Sequence, residues 1–174
     1  MSTTLVAFGP AVRVEDLYAQ HRLSLVRLAM LLVDDVQSAE DVVQDAFAGF
    51  VSKANRLRDS EAALGYLRVS VVNGSRSALR RRRTARAYIP PHEPDRPDPS
   101  DHAVLADEHR EVIAALKRLA PRQREVLVLR YWSGLSEAEI AAALGISKGS
   151  VKSTASRAMD ALESLLTSTK EAQR

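Results

Sequence analysis

The chain is 174 residues long, room for one ordinary domain or two small ones. Hydrophobic residues make up 45% and charged residues 27%, near globular averages, which excludes a wholly disordered chain. The 25 lysines and arginines nearly balance 22 acids, and the net charge of +3 conceals an uneven distribution. Asp34, Asp35, Glu40, Asp41 and Asp45 form an acidic block without a basic residue, and Arg76, Arg80, Arg81, Arg82, Arg83 and Arg86 form a basic block without an acid. The absence of cysteine excludes disulfides, thiolate metal sites and thiol nucleophiles. No apolar run reaches the length of a membrane span, and no basic leader precedes the short apolar patch at the N-terminus, so the chain reads as soluble and cytoplasmic, without membrane insertion.

Apolar residues recur at spacings of three and four, the helical period, and predict an all-α fold. Leu17, Leu25, Leu28 and Leu32 form a stripe flanked by Val26, Ala29, Met30 and Val33, a helix apolar on two sides and therefore central to a bundle. Asp34 and Asp35 predict a turn, and Ser38 is the expected N-cap of a second helix running to about Lys53. That helix is expected to bury Val42 or Val43, Ala46, Phe47 and Phe50. A third helix is expected from Glu61 to about Arg83, apolar at Leu64, Leu67, Val71 and Leu79.

Residues 88–100 hold five of the seven prolines and no apolar period, the composition of a semi-stiff tether. The expected division is a helical unit over 12–87, a linker over 88–102 and a second helical unit over 103–168. The second unit starts with a helix carrying Leu105, Val112, Leu116 and Leu119. A further helix follows from Pro121 to Trp132, with proline suited to its first position. Ser136 and Glu139 form a capping box, Gly145 ends a short helix, and a last helix runs from Lys148 to about Leu166, apolar at Val151, Ala155, Ala158, Met159, Leu162 and Leu166.

Residues 136–157 have helix-turn-helix spacing: a small Ala141, a glycine four residues on at Gly145, and the β-branched Val151 facing back into the angle between the helices. Such a unit sets its second helix in the DNA major groove. The residues so placed are Ser147, Lys148, Gly149, Ser150, Lys152, Ser153, Ser156 and Arg157, with no acid among them. A helical hairpin in a bundle that binds no DNA is the alternative.

The strings Ala39-Glu-Asp-Val-Val-Gln-Asp-Ala-Phe47 and Tyr66-Leu-Arg-Val-Ser-Val-Val-Asn73, the latter followed by the arginine run, resemble the second conserved region of bacterial sigma factors. The helix-turn-helix, with its lead-in Leu119-Ala-Pro-Arg-Gln-Arg-Glu-Val-Leu127, resembles their fourth region. With only a tether between the two, the arrangement resembles the extracytoplasmic-function group. The resemblance implies two small helical domains, a three- or four-helix bundle and a helix-turn-helix domain, with no catalysis and no cofactor. It implies as partners core RNA polymerase (the clamp of the largest subunit and the flap of the second-largest), promoter DNA and, in many relatives, an anti-sigma factor. Asp41, Gln44 and Asp45 would meet the clamp, although the same acids also suit a solvated helix face. The recognition helix would read the −35 element.

Asn73, Arg76, Arg80, Arg82 and Arg83 would hold the −10 element, the arginines through phosphates, with a base taken by Asn73 and the loop at about 55–61. A solvated helix end favoured by its C-terminal dipole accounts for two of the arginines, and helix capping beside Gly74 is the alternative for Asn73. Ser77 and Tyr66 depart from the family pattern, which has an acid and a tryptophan there. A LuxR-type regulator shares the helix-turn-helix and is the alternative; its α/β receiver domain has no counterpart in residues 1–87. A helical adaptor that binds only proteins leaves the arginine run unexplained. The four histidines, His21, His92, His102 and His109, form no catalytic or metal-ligand pattern.

Overall fold

The computed structural model describes residues 13–53, 59–88 and 110–172, which contain helices and no strand. The segment expected as a linker lies outside them apart from Tyr88, as does most of the 55–61 loop. In chain order the elements are α1 (Val14–Met30), α2 (Val36–Val51), α3 (Ser60–Tyr88), α4 (Arg110–Arg118), α5 (Pro121–Leu127), α6 (Glu137–Leu144) and α7 (Lys148–Ala172).

In the first half α1, α2 and α3 pack on one another. Leu25, Leu28 and Ala29 of α1 are buried, and so are Leu31, Leu32 and Val33 in the turn beyond it, which explains the two-sided apolar pattern. On α2, Ala39, Val42, Val43, Ala46, Phe47 and Phe50 all face the core. Complete burial of a side chain the size of Phe50 contributes about 1.5–3 kcal/mol. Tyr18 meets Phe47 edge to face at 5.0 Å, and Phe50 lies 5.9 Å from Tyr66. At Gly74 a Cβ would stand 3.0 Å from Val42 Cγ1, so glycine allows α3 its close approach to α2.

Two boundaries differ from expectation. Asp35, not Ser38, caps α2, its Oδ1 accepting the Ser38 backbone N–H at 2.8 Å. Both are capping residue types, and the extended backbone at Asp35 places its carboxylate over the first turn. Helix α3 also continues past Arg83 to Tyr88, so Asn73 and Gly74 stand mid-helix and Asn73 is not a cap.

In the second half Pro121 takes the first position of α5, as expected. The helix does not continue regularly to Trp132: Val128–Trp132 widens into a π-helical turn. Ser133 N–H donates to the Val128 carbonyl at 3.1 Å and Leu135 N–H to that of Leu129 at 3.0 Å. The wide turn leaves Tyr131 and Trp132 exposed while Val128 and Leu129 stay in the core. Helix α7 packs through Val151, Ala155 and Ala158; Met159, one position off that seam, is exposed, contrary to expectation, as is Val112 on α4.

The halves pack densely within themselves and thinly on each other. Their apolar contacts are nonetheless continuous, and α5 lies along α3 across a shallow cleft between Leu32, Val72 and Leu79 on one side and Pro121 and Arg124 on the other.

Candidate nucleic-acid interface

The helix-turn-helix is built by local rules. Ser136 Oγ accepts the Glu139 N–H at 3.3 Å while Glu139 Oε2 accepts the Ser136 N–H at 2.8 Å, so the capping box fixes the start of α6. Hydrogen bonds from the Ser136 hydroxyl and N–H hold the Glu139 carboxyl below its ordinary pKa, against a small opposing effect of burial, and the charge of Arg68 adds to the lowering. Gly145 ends α6 with φ 64°, in the left-handed region, and its N–H donates to the Ala141 carbonyl. Val151 is completely buried in the angle that follows.

Ser147 starts α7: its Oγ accepts the Ser150 N–H at 3.1 Å and its carbonyl accepts the Val151 N–H. Burial then alternates around the helix. Val151, Thr154, Ala155 and Ala158 face inward, whereas Ser147, Lys148, Gly149, Ser150, Lys152, Ser153, Ser156 and Arg157 are all open to solvent. The structure thus brings all eight expected recognition residues onto one open surface. No described carboxylate lies within ion-pair distance of Lys148, Lys152 or Arg157; Arg157 Nε donates to the Ser153 carbonyl along its own helix.

On α2, Asp41, Gln44 and Asp45 are exposed and lie on one face by helical spacing. Asp41 accepts a hydrogen bond of 2.8 Å from Gln37 Nε2. The opposite face carries Phe47 and Phe50 into the core, so the polar stripe is available to a partner.

On α3, at 100° per residue, Asn73, Arg76, Arg80 and Arg83 fall within an arc of roughly 80°, and Arg82 points about the opposite way. Asn73 and Arg80 are exposed; the Arg83 side chain lies outside the described part. Arg82 turns back to the start of α2, with Nη2 2.6 Å from Asp35 Oδ2 and Nη1 3.9 Å from Asp34. Burial raises the Asp35 carboxyl pKa, but its hydrogen bonds from Ser38 and the charge of Arg82 outweigh burial and hold it below 3.8. Arg76 is also engaged: its Nε and Nη2 make a two-pronged ion pair with Glu125 of α5, Nη2 to Oε2 at 2.7 Å. The acid-free basic block is thus partly neutralised by acids distant in sequence. Nothing in the sequence singles out Glu125, which stands as one acid close after Arg122 and Arg124.

At Tyr66, where the family pattern has tryptophan, Lys53 Nζ sits 5.0 Å from the ring centroid. The Lys53 hydrogen bond lowers the Tyr66 pKa, burial opposes it, and Ser70 adds to the lowering. Among the described residues no group of His, Asp and Glu is arranged to hold a metal ion.

Residues 17–85 match the sigma-70 region 2 family and residues 109–162 the sigma-70 region 4 family. The chain is 36% identical over 152 residues to the RNA polymerase sigma-E factor of Streptomyces coelicolor, covering 87% of this chain and 84% of that protein. It is 32% identical over 158 residues to the ECF RNA polymerase sigma factor SigM of Mycobacterium tuberculosis, covering 91% and 79%. The chain belongs to the extracytoplasmic-function sigma factors.

The fold agrees. Sigma factor RpoE of Bartonella quintana, solved with the anti-sigma factor NepR, superposes with a TM-score of 0.67 at 25% identity, over 88% of this chain and 98% of that one. CnrH, solved with the cytosolic domain of CnrY, gives 0.63 at 27% identity over 89% and 88%. As a sigma factor the chain is a promoter-directing initiation factor of a non-catalytic family, and the LuxR-type alternative is not favoured, because both halves match sigma regions.

Proposed function

We propose that this sigma factor binds core RNA polymerase through residues 12–87 and reads promoter DNA with both halves, joined by a linker over 88–102. Residues 103–168 would engage the −35 element through Ser147, Lys148, Gly149, Ser150, Lys152, Ser153, Ser156 and Arg157. The observation that carries this reading is the open, acid-free face of α7, whose cations have no carboxylate partner among the described residues. Cations left unpaired beside hydroxyl donors suit a phosphate backbone flanking base edges.

Asp41, Gln44 and Asp45 on the exposed stripe of α2 supply an acidic contact for the clamp of the largest subunit, with the flap of the second-largest subunit left to the second half. Asn73, Arg76, Arg80 and Arg83 line the −10 strand, Arg76 after exchanging a carboxylate for a phosphate, and Arg82 meets a phosphate from the other side of α3 after releasing Asp35. The protein acts in the cytoplasm, where its polymerase is; no helix among the described residues is long and apolar enough to cross a membrane. Phosphodiester synthesis stays with the polymerase, and no step of it occurs on this chain. Two of the similar solved structures are complexes with an anti-sigma factor or a cytosolic partner domain, which supports a protein inhibitor as a further partner.

Run-off transcription tests this directly: adding the chain to core polymerase yields discrete promoter-specific transcripts from genomic fragments. Core enzyme giving the same products with and without the chain would overturn the assignment.

A further inference from the structure

The seam between the halves has three unusual features. First, Glu125 fills the guanidinium fork of Arg76 in the parallel two-bond geometry that a phosphate would take. The Glu125 side chain is only 10% exposed. Second, the seam extends from the α3 stripe to the helix-turn-helix. Arg76 Nη1 also lies 3.4 Å from Asn73 Oδ1, and Arg122 Nη1 lies 3.4 Å both from Glu125 Oε2 and from the Leu144 carbonyl at the end of α6. A chain of polar contacts therefore runs from the −10 face of α3 to the first helix of the helix-turn-helix. Third, the seam is imperfect: Ser75 Oγ is buried in it without a partner, and the apolar packing across it is thin.

The geometry points to a closed form of the free sigma factor in which Glu125 occupies the Arg76 site as a phosphate mimic and latches α5 against α3. This rests on the assignment of α3 to the −10 strand. The docking face of α3 (Val72, Ser75, Arg76 and Leu79) borders the Asn73–Arg80 stripe and shares Arg76 with it. A nucleic-acid strand laid along that stripe meets α5 at its edge and must displace Glu125 to gain Arg76. Burial of the Glu125 carboxylate offsets part of the attraction, and the unpartnered Ser75 hydroxyl weakens the seam further. The latch is thus one that a polyanion can exchange. The recognition face of α7 is open in the same closed form. Closure therefore withholds the −10 surface while leaving the −35 surface free.

The chain has no cysteine of its own, so single cysteines at the exposed Leu23 of α1 and Met159 of α7 can carry spin labels for a distance measurement on the full chain. The labelled parent should show one short distance. Glu125→Gln should lengthen and broaden it and raise affinity for a mixed-sequence single-stranded DNA on the order of tenfold, as expected when a closed population is released. Its affinity for a −35 duplex should not change. Adding the same single strand to the labelled parent should produce the same lengthening, a result independent of how the variant folds. Distances that move neither with Glu125→Gln nor with DNA would overturn the latch, and so would opening without a gain in single-strand affinity. Failure of the sigma-factor assignment itself shows separately, as absence of promoter-specific transcription by the parent with core polymerase.

Discussion

Helices α3 and α7 are both cationic and hold their charge in opposite ways. On α3, Arg82 is tied to Asp34 and Asp35 and Arg76 to Glu125. On α7, Lys148, Lys152 and Arg157 face solvent with no described carboxylate in reach. The contrast shows that a basic run is not by itself a free surface. What matters is which cations the fold neutralises from within, since those can reach DNA only by exchange. It also fits a division of labour in which one surface is always available to duplex DNA and the other becomes available after a rearrangement.

The largest effect should come from the open helix. Lys152→Gln with Arg157→Gln should reduce −35 duplex affinity and flatten its salt dependence, the log–log slope falling by about 0.9 for each phosphate left without its cation. A slope that does not change would leave α7 without its assigned role and erase the contrast between the helices.

A smaller effect tests the tied helix. Asp35→Ala removes both the α2 cap that accepts the Ser38 N–H and the nearer of the two carboxylates at Arg82, and should lower stability in urea unfolding by about 1–2 kcal/mol near neutral pH. The Asp35 carboxyl is held below 3.8 in the folded chain, so its contribution is complete above that value and is lost as the pH falls through the lower folded value. The stabilities of parent and variant should therefore converge in acid. Duplex affinity at the −35 element should be the same for both.

Much of the fold is legible in the sequence because it is local. Ala141, Gly145 and Val151 define the helix-turn-helix within a few turns of chain, and the Ser136–Glu139 box spans three residues; each appears where the pattern puts it. Ala46, Phe47 and Phe50 of the α2 core stripe follow from helical period, which leaves open the choice between Val42 and Val43; both are buried, as is Ala39. What is not legible depends on distance or degeneracy. Arg76 and Glu125 are 49 residues apart, so nothing in either string announces the pair. Asp35 and Ser38 both suit a cap, and only the backbone conformation at Asp35 decides between them. The π-helical turn at Val128–Trp132 has no residue signature, which is why Tyr131 and Trp132 stand at an exposed corner rather than in the expected regular helix. Gly74, which in the sequence stands only beside a possible helix cap, is the place where α2 approaches α3.

On the proposed function, polymerase and duplex DNA are met by separate surfaces, the α2 stripe and the α7 face. Gln44→Ala with Asp45→Ala in the full chain tests it, with core-polymerase binding and −35 duplex binding measured on the same preparation. Polymerase binding should fall sharply while duplex affinity is unchanged; polymerase binding at the parental level would leave the α2 stripe without its assigned role.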